Sequence, residues 1–245
     1  MSFDWKSLQN GSDIRGVAVD GIESEPITLS QEIVKNIAWA FSSWLKDKVK
    51  KQDVSISVGH DSRISANELK KAVILGLTNN NCSIGDAGLA STPAMFMSTI
   101  FKEYKYDGAI MLTASHLPFN RNGMKFFTKF GGLEKQDISE ILDLAESKKY
   151  IQDEIANRVC NINLMKTYAE HLRNIIIKKT GSSKPFKNLK IIVDAGNGAG
   201  GFFVNDILDP LGADTTGSQF LEPDGMFPNH IPDPENNSAI DSISH

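Results

Sequence analysis

Apolar residues recur at two spacings along this chain, and their order predicts strands that alternate with helices. Helical spacing links two sets of apolar residues, Ile33, Ile37, Phe41 and Trp44 and then Leu69, Val73 and Leu77. Strand patterns lie at residues 54–58, around 83–84 and at 109–112. Strands joined by helices predict a mostly parallel sheet with helical crossovers.

Polar residues indicate where these helices begin. Thr28-Leu29-Ser30-Gln31 and Ser65-Ala66-Asn67-Glu68 match the capping-box pattern, which opens a helix. Thr92 and Pro93 predict the N-cap and the first residue of a third helix. The aromatic and glycine residues over 126–133 predict a hairpin, and a polar helix over about 135–149 closes this part of the chain.

The second part of the chain repeats the order of the first. A linker near residues 151–163 and a helix over about 164–178 precede a predicted buried strand at 189–193. A Gly-rich loop at 194–201 and a helix with Phe203, Ile207 and Leu208 follow. The predicted fold class is therefore α/β, with two consecutive three-layer units of mixed, mostly parallel sheets. We place them at residues 1–155 and 156–245 and expect the second to be incomplete.

Composition narrows the possible environments and partners. The 245 residues carry a net charge of −4. The sequence therefore lacks the excess of basic residues that is typical of proteins that bind nucleic acids. It also lacks an apolar stretch long enough for a membrane span and a signal-peptide core. Cys82 and Cys160 lack metal-ligand spacing. We expect a cytoplasmic protein that does not bind membranes.

The segment from Met111 to Lys125 combines a buried strand with reactive side chains. The strand breaks into a loop with Ser115 and His116, and Lys125 follows ten residues after the serine. A polar loop at the end of a buried strand is where open α/β sheets place their chemistry. Ser115 could be a nucleophile or a phosphate carrier, with Lys125 neutralising phosphate charge. The local pattern equally allows Ser115 and His116 to cap a turn.

Six ordered motifs resemble those of the α-D-phosphohexomutases, the phosphoglucomutase and phosphomannomutase superfamily. They are Ser12-Asp13-Ile14-Arg15-Gly16, Val58-Gly59-His60-Asp61-Ser62-Arg63, Asp86-Ala87-Gly88 with Ser91-Thr92-Pro93, Thr113-Ala114-Ser115-His116 with Pro118 and Asn122-Gly123-Met124-Lys125, Val193-Asp194-Ala195-Gly196-Asn197-Gly198-Ala199-Gly200, and Pro223-Asp224-Gly225-Met226-Phe227-Pro228-Asn229-His230. The resemblance covers nearly the whole chain in the family's order.

The resemblance implies interconversion of hexose 1-phosphates and 6-phosphates through a phosphoserine and a hexose 1,6-bisphosphate. It implies that Ser115 carries the phosphate and that Arg15 and Lys125 hold phosphoryl oxygens. His116 either assists proton transfer or anchors the loop. Family members bind Mg²⁺ through the phosphoserine, here Ser115, and an aspartate-rich loop that this sequence does not reach. We therefore expect weak or no Mg²⁺ binding by this chain.

Other residues of the motifs are interpreted as structural. Asp61 and Arg63 are expected to form an ion pair or a cap, and the glycines of the 195–201 loop to shape a turn rather than cradle phosphate. Leu117 and His60 depart from the family, which has Asn and Arg there. Because leucine has no side-chain hydrogen-bonding group, the serine loop must be held differently.

Three functional readings remain open. The chain is expected to be an inactive N-terminal portion of a mutase, because the family's later domains hold the substrate's far phosphate. A non-catalytic phosphate carrier or an inert fragment is the alternative. A serine hydrolase fits less well, because Ser115 and His116 are adjacent and the Gly-x-Ser-x-Gly elbow is absent around Ser115. We further expect self-association through the incomplete second unit.

Overall fold

The computed structural model describes residues 3–147 and 158–244, and its contacts divide the chain into two units. The first comprises Met1–Asp61, Ser65–Ala114 and Asn120–Ile162. The second comprises Asn163–His245 and two short loops, Ser62–Ile64 and Ser115–Phe119. The predicted boundary at 155/156 lies outside the described residues and stays a prediction.

A mixed sheet of eight strands lies at the centre of the described part of the first unit. The strands are β1 Gln9–Asn10, β2 Asp13–Val17, β3 Ser55–His60, β4 Ser83–Leu89, β5 Gly108–Leu112, β6 Arg121–Thr128, β7 Gly131–Gly132 and β8 Val159–Asn161. Their order is β1-β2-β6-β5-β3-β4-β8, with β7 paired to β6. The pairs among β5, β3, β4 and β8 are parallel, and those involving β1, β2, β6 and β7 are antiparallel.

Helices cover both faces of this sheet, which confirms the predicted α/β class. They are α1 Gln31–Val49, α2 Ala66–Thr78, α3 Thr92–Met97 and α4 Lys135–Ser147, with a 3-10 turn at Trp5–Leu8. The side chains of α1, α2 and α4 form one buried cluster with Ile56, Ile110 and Phe126 of the sheet. The opposite face meets α3, where the Ser98 hydroxyl lies 2.6 Å from that of Ser57.

The predicted helices form, but two of their predicted N-terminal caps are wrong, and a third makes no cap bond. The cap of α1 is Ser30 rather than Thr28, and its Oγ accepts a hydrogen bond from the amide of Ile33. The cap of α3 is Ser91 rather than Thr92. Ser65 is the N-cap residue of α2, as predicted, but it makes no side-chain cap bond, because its hydroxyl accepts a 2.8 Å hydrogen bond from Asn122 instead. A tertiary contact thus replaced the local one.

The second unit contains little regular structure besides helices. Its elements are α5 Leu164–Thr180, a π-helical turn at Val204–Leu208 and α6 Asn237–Ile243. The predicted buried strand at 189–193 is wrong as stated. Lys190 and Asp194 make only isolated parallel bridges, to Asp214 and Gln219, and Leu189 is 50% exposed. Residues 189–193 pair only through these bridges, and the other described residues do not bury their apolar side chains.

None of the helices in the described part of the chain combines the length and the apolar character needed to cross a bilayer.

Candidate active site

The loop that carries Ser115 leaves the sheet at the end of its most buried strand. All five residues of β5 are buried, and the Thr113 amide still donates to the Gly123 carbonyl at 3.1 Å. The chain then turns at Ser115, whose φ of +56° lies in the left-handed region. Such a conformation is unfavourable for a residue with a Cβ and persists only where surrounding contacts impose it. Ser115 and His116 are both exposed.

Arg63 supplies contacts that hold this loop. Its guanidinium donates to the carbonyl oxygens of Ser115 at 2.9 Å, Leu117 at 2.6 Å and Pro118 at 2.6 Å. Position 117 is thus held through its main chain, so the loop does not need the hydrogen-bonding side chain that Leu117 lacks. From the sequence we expected Arg63 to pair with Asp61 or to form a cap, and that prediction did not include these contacts. They join residues more than fifty positions apart.

Arg15 and Lys125 converge on one carboxylate. The Nζ atom of Lys125 lies 2.7 Å from one oxygen of Asp13, and Nη2 of Arg15 lies 3.0 Å from the same oxygen. Nη1 of Arg15 also donates to the carbonyl of Thr113 at 3.4 Å. Two cations and one anion leave this cluster with a single net positive charge. It is therefore suited to holding an anionic group.

The alternation of β2 and β6 explains this convergence. Asp13 and Arg15 are two residues apart and therefore point to the same face of the sheet. Arg15 is paired with Gly123, and Lys125 follows two residues later on β6. All three side chains thus lie on the face opposite the α1, α2 and α4 core. Asp13 was missed as a site residue, although its i, i+2 spacing from Arg15 was a visible signal.

The structure brings together two of the four predicted site residues, Arg15 and Lys125. Ser115 and His116 lie on a loop whose contacts place it with the second unit. The Thr113 carbonyl, two residues before Ser115, is the point at which the Arg15 side chain meets the base of this loop. The catalytic roles of all four residues stay predictions.

The Gly-rich loop of the second unit uses its amides internally. The Gly196 amide donates to Asp194, the Asn197 amide to the Phe220 carbonyl and the Gly198 amide to the Ala195 carbonyl. A phosphate cradle needs amides that point at the ligand. These three amides are engaged, which agrees with the structural interpretation of this loop.

Asp194 and His230 form a half-buried, hydrogen-bonded pair next to that loop. His230 Nε2 lies 3.1 Å from the carboxylate, and Nδ1 lies 2.8 Å from the Ile231 carbonyl. Burial is the strongest single influence on the pKa of Asp194 and would raise it, but four hydrogen bonds together lower the pKa. Their donors are Gln219, Gly196, Ser242 and His230.

The same surroundings act on the imidazole of His230 in the opposite direction. Burial alone would lower the pKa of His230. Its hydrogen bonds to the Ile231 carbonyl and to Asp194, together with the Asp194 charge, raise the pKa overall. Because both ring nitrogens face acceptors, the doubly protonated ring satisfies both contacts.

A protein-made Mg²⁺ site does not fit the residues that are described. Within 3–147 and 158–244, His, Cys, Asp and Glu side chains do not form any group of three or more that could hold a metal ion. Mg²⁺ requires several oxygen ligands in octahedral geometry. We therefore derive no chemical step through a metal, and the expectation of weak or absent Mg²⁺ binding stays a prediction.

Comparisons with known proteins identify the family. Residues 6–152 match the model of phosphoglucomutase/phosphomannomutase alpha/beta/alpha domain I, and residues 166–245 match that of domain II. The chain is 31% identical over 222 residues to a phosphomannomutase/phosphoglucomutase of Pseudomonas syringae pv. tomato, covering 91% of this chain and 43% of that protein. It is 34% identical over 170 residues to a phosphoglucosamine mutase of Caldicellulosiruptor saccharolyticus, covering 67% of this chain and 36% of that protein.

A solved structure supports the same assignment. The crystal structure of a phosphoglucomutase/phosphomannomutase family protein from Burkholderia thailandensis matches with a TM-score of 0.79 and 25% identity. The match covers 97% of this chain and 49% of that one. The chain thus spans about half the length of this structure and less than half that of the two relatives above. The predicted resemblance is confirmed: the chain belongs to the phosphoglucomutase/phosphomannomutase family.

Proposed function

We propose that this chain carries the phosphoserine step of a hexose phosphate mutase, with Ser115 as the phosphoryl carrier. The observation that supports this most directly is the Asp13, Arg15 and Lys125 cluster. It places two cations on the sheet face from which Arg15 reaches the base of the Ser115 loop. Phosphoryl transfer depends mainly on alignment and on neutralising charge, which a fixed hydroxyl and fixed cations supply.

The proposed step exchanges one P–O bond for another. The free hydroxyl of a hexose monophosphate attacks the phosphorus of phosphorylated Ser115, and the bond from phosphorus to Ser115 Oγ breaks. The hydroxyl proton goes to Ser115 Oγ, and the product is a hexose 1,6-bisphosphate. After the bisphosphate has reoriented, its other phosphoryl group is transferred to Ser115 Oγ. The bond from that phosphorus to the sugar oxygen breaks, and the Ser115 hydroxyl proton goes to the sugar oxygen. His116, adjacent on the exposed loop, is the candidate for moving the proton.

Arg15 and Lys125 are assigned the stabilisation of developing charge on the phosphoryl oxygens. Asp13 cancels one of their two positive charges and fixes both side chains. Because the three side chains hold one another on the sheet, the cluster presents its remaining positive charge from a fixed position.

A phosphate carrier without turnover is the second candidate. It requires only an accessible serine that can accept a phosphoryl group, and Ser115 is exposed on its loop. The two candidates share the phosphorylated serine and differ only in turnover. The proposal covers hexose phosphates as a class, because the relatives are named phosphomannomutase/phosphoglucomutase and phosphoglucosamine mutase.

Intact mass spectrometry after incubation with glucose 1,6-bisphosphate tests the carrier. The chain is expected to gain one phosphoryl group, and Ser115→Ala is expected to gain none. Ser147→Ala, at an exposed serine of α4, serves as the control and should label like the unchanged chain. Labelling that persists in Ser115→Ala would refute the assignment. A coupled assay for glucose 1-phosphate conversion then separates a mutase, which turns over, from a carrier, which does not.

A further inference from the structure

We propose that Arg63 is the positioning residue of the phosphorylatable loop, holding Ser115 in place through main-chain carbonyls. The consequence for phosphoryl transfer rests on the function proposed above. The mechanical part of the inference, that Arg63 determines the conformation of residues 115–118, does not depend on that function.

The first argument is the geometry of the contacts. Nη2 of Arg63 donates to the carbonyls of Ser115 at 2.9 Å and Leu117 at 2.6 Å, and Nη1 donates to that of Pro118 at 2.6 Å. These carbonyls span the turn from the serine to the proline. A planar guanidinium with donors on separate nitrogens reaches several acceptors at once in a fixed arrangement, whereas a lysine offers a single nitrogen.

The second argument is burial. Arg63 is only 2% exposed, and it is among the largest fully buried side chains of the described residues. A buried charge is costly unless it is well hydrogen-bonded. The three loop carbonyls supply much of that compensation, so the loop and the guanidinium stabilise each other. A loop that swung away would leave the Arg63 charge buried without these acceptors.

The third argument is the conformation of the serine itself. Ser115 has a φ of +56°, a left-handed conformation that its own side chain does not favour. Its carbonyl is one of the three that Arg63 binds. The bond acts on the peptide unit that follows this strained residue, which is where a contact that selects the conformation is needed.

A second motif supports Arg63 from its other side. The ring of Phe227 lies 5.3 Å from the guanidinium carbon of Arg63, within the range of a cation–π contact. A Cβ added to Gly225 would come within 2.7 Å of the Arg63 carbonyl carbon, so glycine allows this close approach. The Asp224–Phe227 part of the sequence motif, which phosphoryl chemistry leaves unexplained, thus packs against the 62–64 loop.

The test compares Arg63→Lys with the unchanged chain by two measurements. Hydrogen exchange of the amides of residues 115–117 reports on the loop without any ligand. The rate of phosphoryl uptake from glucose 1,6-bisphosphate reports on function. Arg158→Lys is the matched control, because Arg158 also donates to a main-chain carbonyl, that of Asn81, and is remote in sequence from this loop.

For Arg63→Lys we expect loop exchange to accelerate about tenfold or more, while the amides of β5 keep their protection. Phosphoryl uptake should slow by about tenfold to a hundredfold, since a displaced reacting group is costly. The bisphosphate concentration at half-maximal rate should change little, because Arg63 is buried beneath the loop. Arg158→Lys should match the unchanged chain in both measurements.

Unchanged loop exchange in Arg63→Lys would overturn the inference, and so would accelerated exchange with unchanged uptake. If the unchanged chain takes up no phosphoryl group, the proposed function fails, while loop exchange still decides whether Arg63 holds the loop. If Arg63→Lys also loses protection in β5, the substitution has perturbed the sheet as well as the loop. A second variant, Phe227→Leu, then tests the inference. That variant keeps Arg63 but removes the ring that holds its guanidinium in place, so the three carbonyl contacts should weaken and exchange should accelerate in residues 115–117 alone. Unchanged exchange there would overturn the inference.

Discussion

Asp13 shows how one side chain can organise a site without being its reactive group. Its carboxylate contacts Lys125, 112 positions away in the sequence, and Arg15, two positions away. The three side chains are partly buried, with Asp13 and Arg15 each 14% exposed and Lys125 28% exposed. Contacts of this kind fix the orientation of long, flexible cations, which would otherwise sample many rotamers.

Asp13→Asn is therefore expected to lower phosphoryl uptake by Ser115 by about tenfold or more, because the cations lose the anchor that aligns them. The substitution keeps the size of the side chain. The measurement is the rate of mass gain with glucose 1,6-bisphosphate, and Asp20→Asn, at an exposed carboxylate, is the control. Equal rates for the two variants would contradict the role assigned to Asp13.

At the scale of elements, the pairing of β2 with β6 decides where the cations lie. Gly123 is paired with Arg15, and a Cβ at Gly123 would collide with the carbonyl of Ile14 and lie 2.8 Å from Cδ of Arg15 and 2.9 Å from the Thr113 carbonyl. A glycine is therefore required where the two strands and the base of the serine loop approach each other.

Gly123→Ala is expected to destabilise the first unit by about 1–3 kcal/mol, the usual cost of forcing an extra carbon into a packed position. Urea denaturation followed by tryptophan fluorescence measures the change, since all three tryptophans lie in this unit. Gly132→Ala on β7 is the matched control. Its Cβ would meet atoms no closer than 3.9 Å, so its effect should stay within about 0.5 kcal/mol. Similar losses in both variants would show that the space around Gly123 is not the cause.

At the scale of the whole molecule, the two units differ in the size of their cores. In the described residues, one extensive buried cluster fills the first unit, whereas a cluster of the second centres on Ala169, Ile207 and Leu211. Since local stability follows buried apolar contacts, we expect the second unit to be the weaker one. Self-association through it also stays a prediction.

The Asp194–His230 pair should make the stability of the second unit depend on pH. The lowered pKa of Asp194 adds stability that is lost as pH falls through the folded-state pKa. The raised pKa of His230 adds stability that is fully present below the unfolded value of about 6.5 and is lost as pH rises through the folded-state pKa. The second unit is therefore expected to be most stable between about pH 4 and pH 6.5.

Hydrogen-exchange protection at residues 194–220, corrected for intrinsic rates, tests this expectation at pH 6 and pH 8. Protection should be lower at pH 8. His230→Asn should lower protection at pH 6 and remove most of the difference between the two pH values. His171→Asn on α5 should retain the difference. Equal protection of the unchanged chain at both pH values would show that the pair does not contribute in this range.

The sequence by itself determined several elements of the first unit and the family. Hydrophobic spacing depends on neighbouring residues only, so it correctly predicted α1, α2, β3 and β5. The six motifs predicted the family that the comparisons confirm. The same local reasoning failed where a distant residue competes for a hydrogen bond. The Ser65 hydroxyl, for example, accepts from Asn122 and makes no cap bond at the start of α2.

Only the tertiary structure decided how the candidate site is held together. Arg63 meets residues 115–118 across more than fifty positions, and Asp13 meets Lys125 across 112. Such contacts depend on strand order and register, which no local pattern contains. The apolar residues at 189–193 illustrate the same limit. Their pattern predicted a buried strand, but a local pattern does not contain the partner that would bury it. Spacing identifies the reactive groups, and long-range packing determines their geometry.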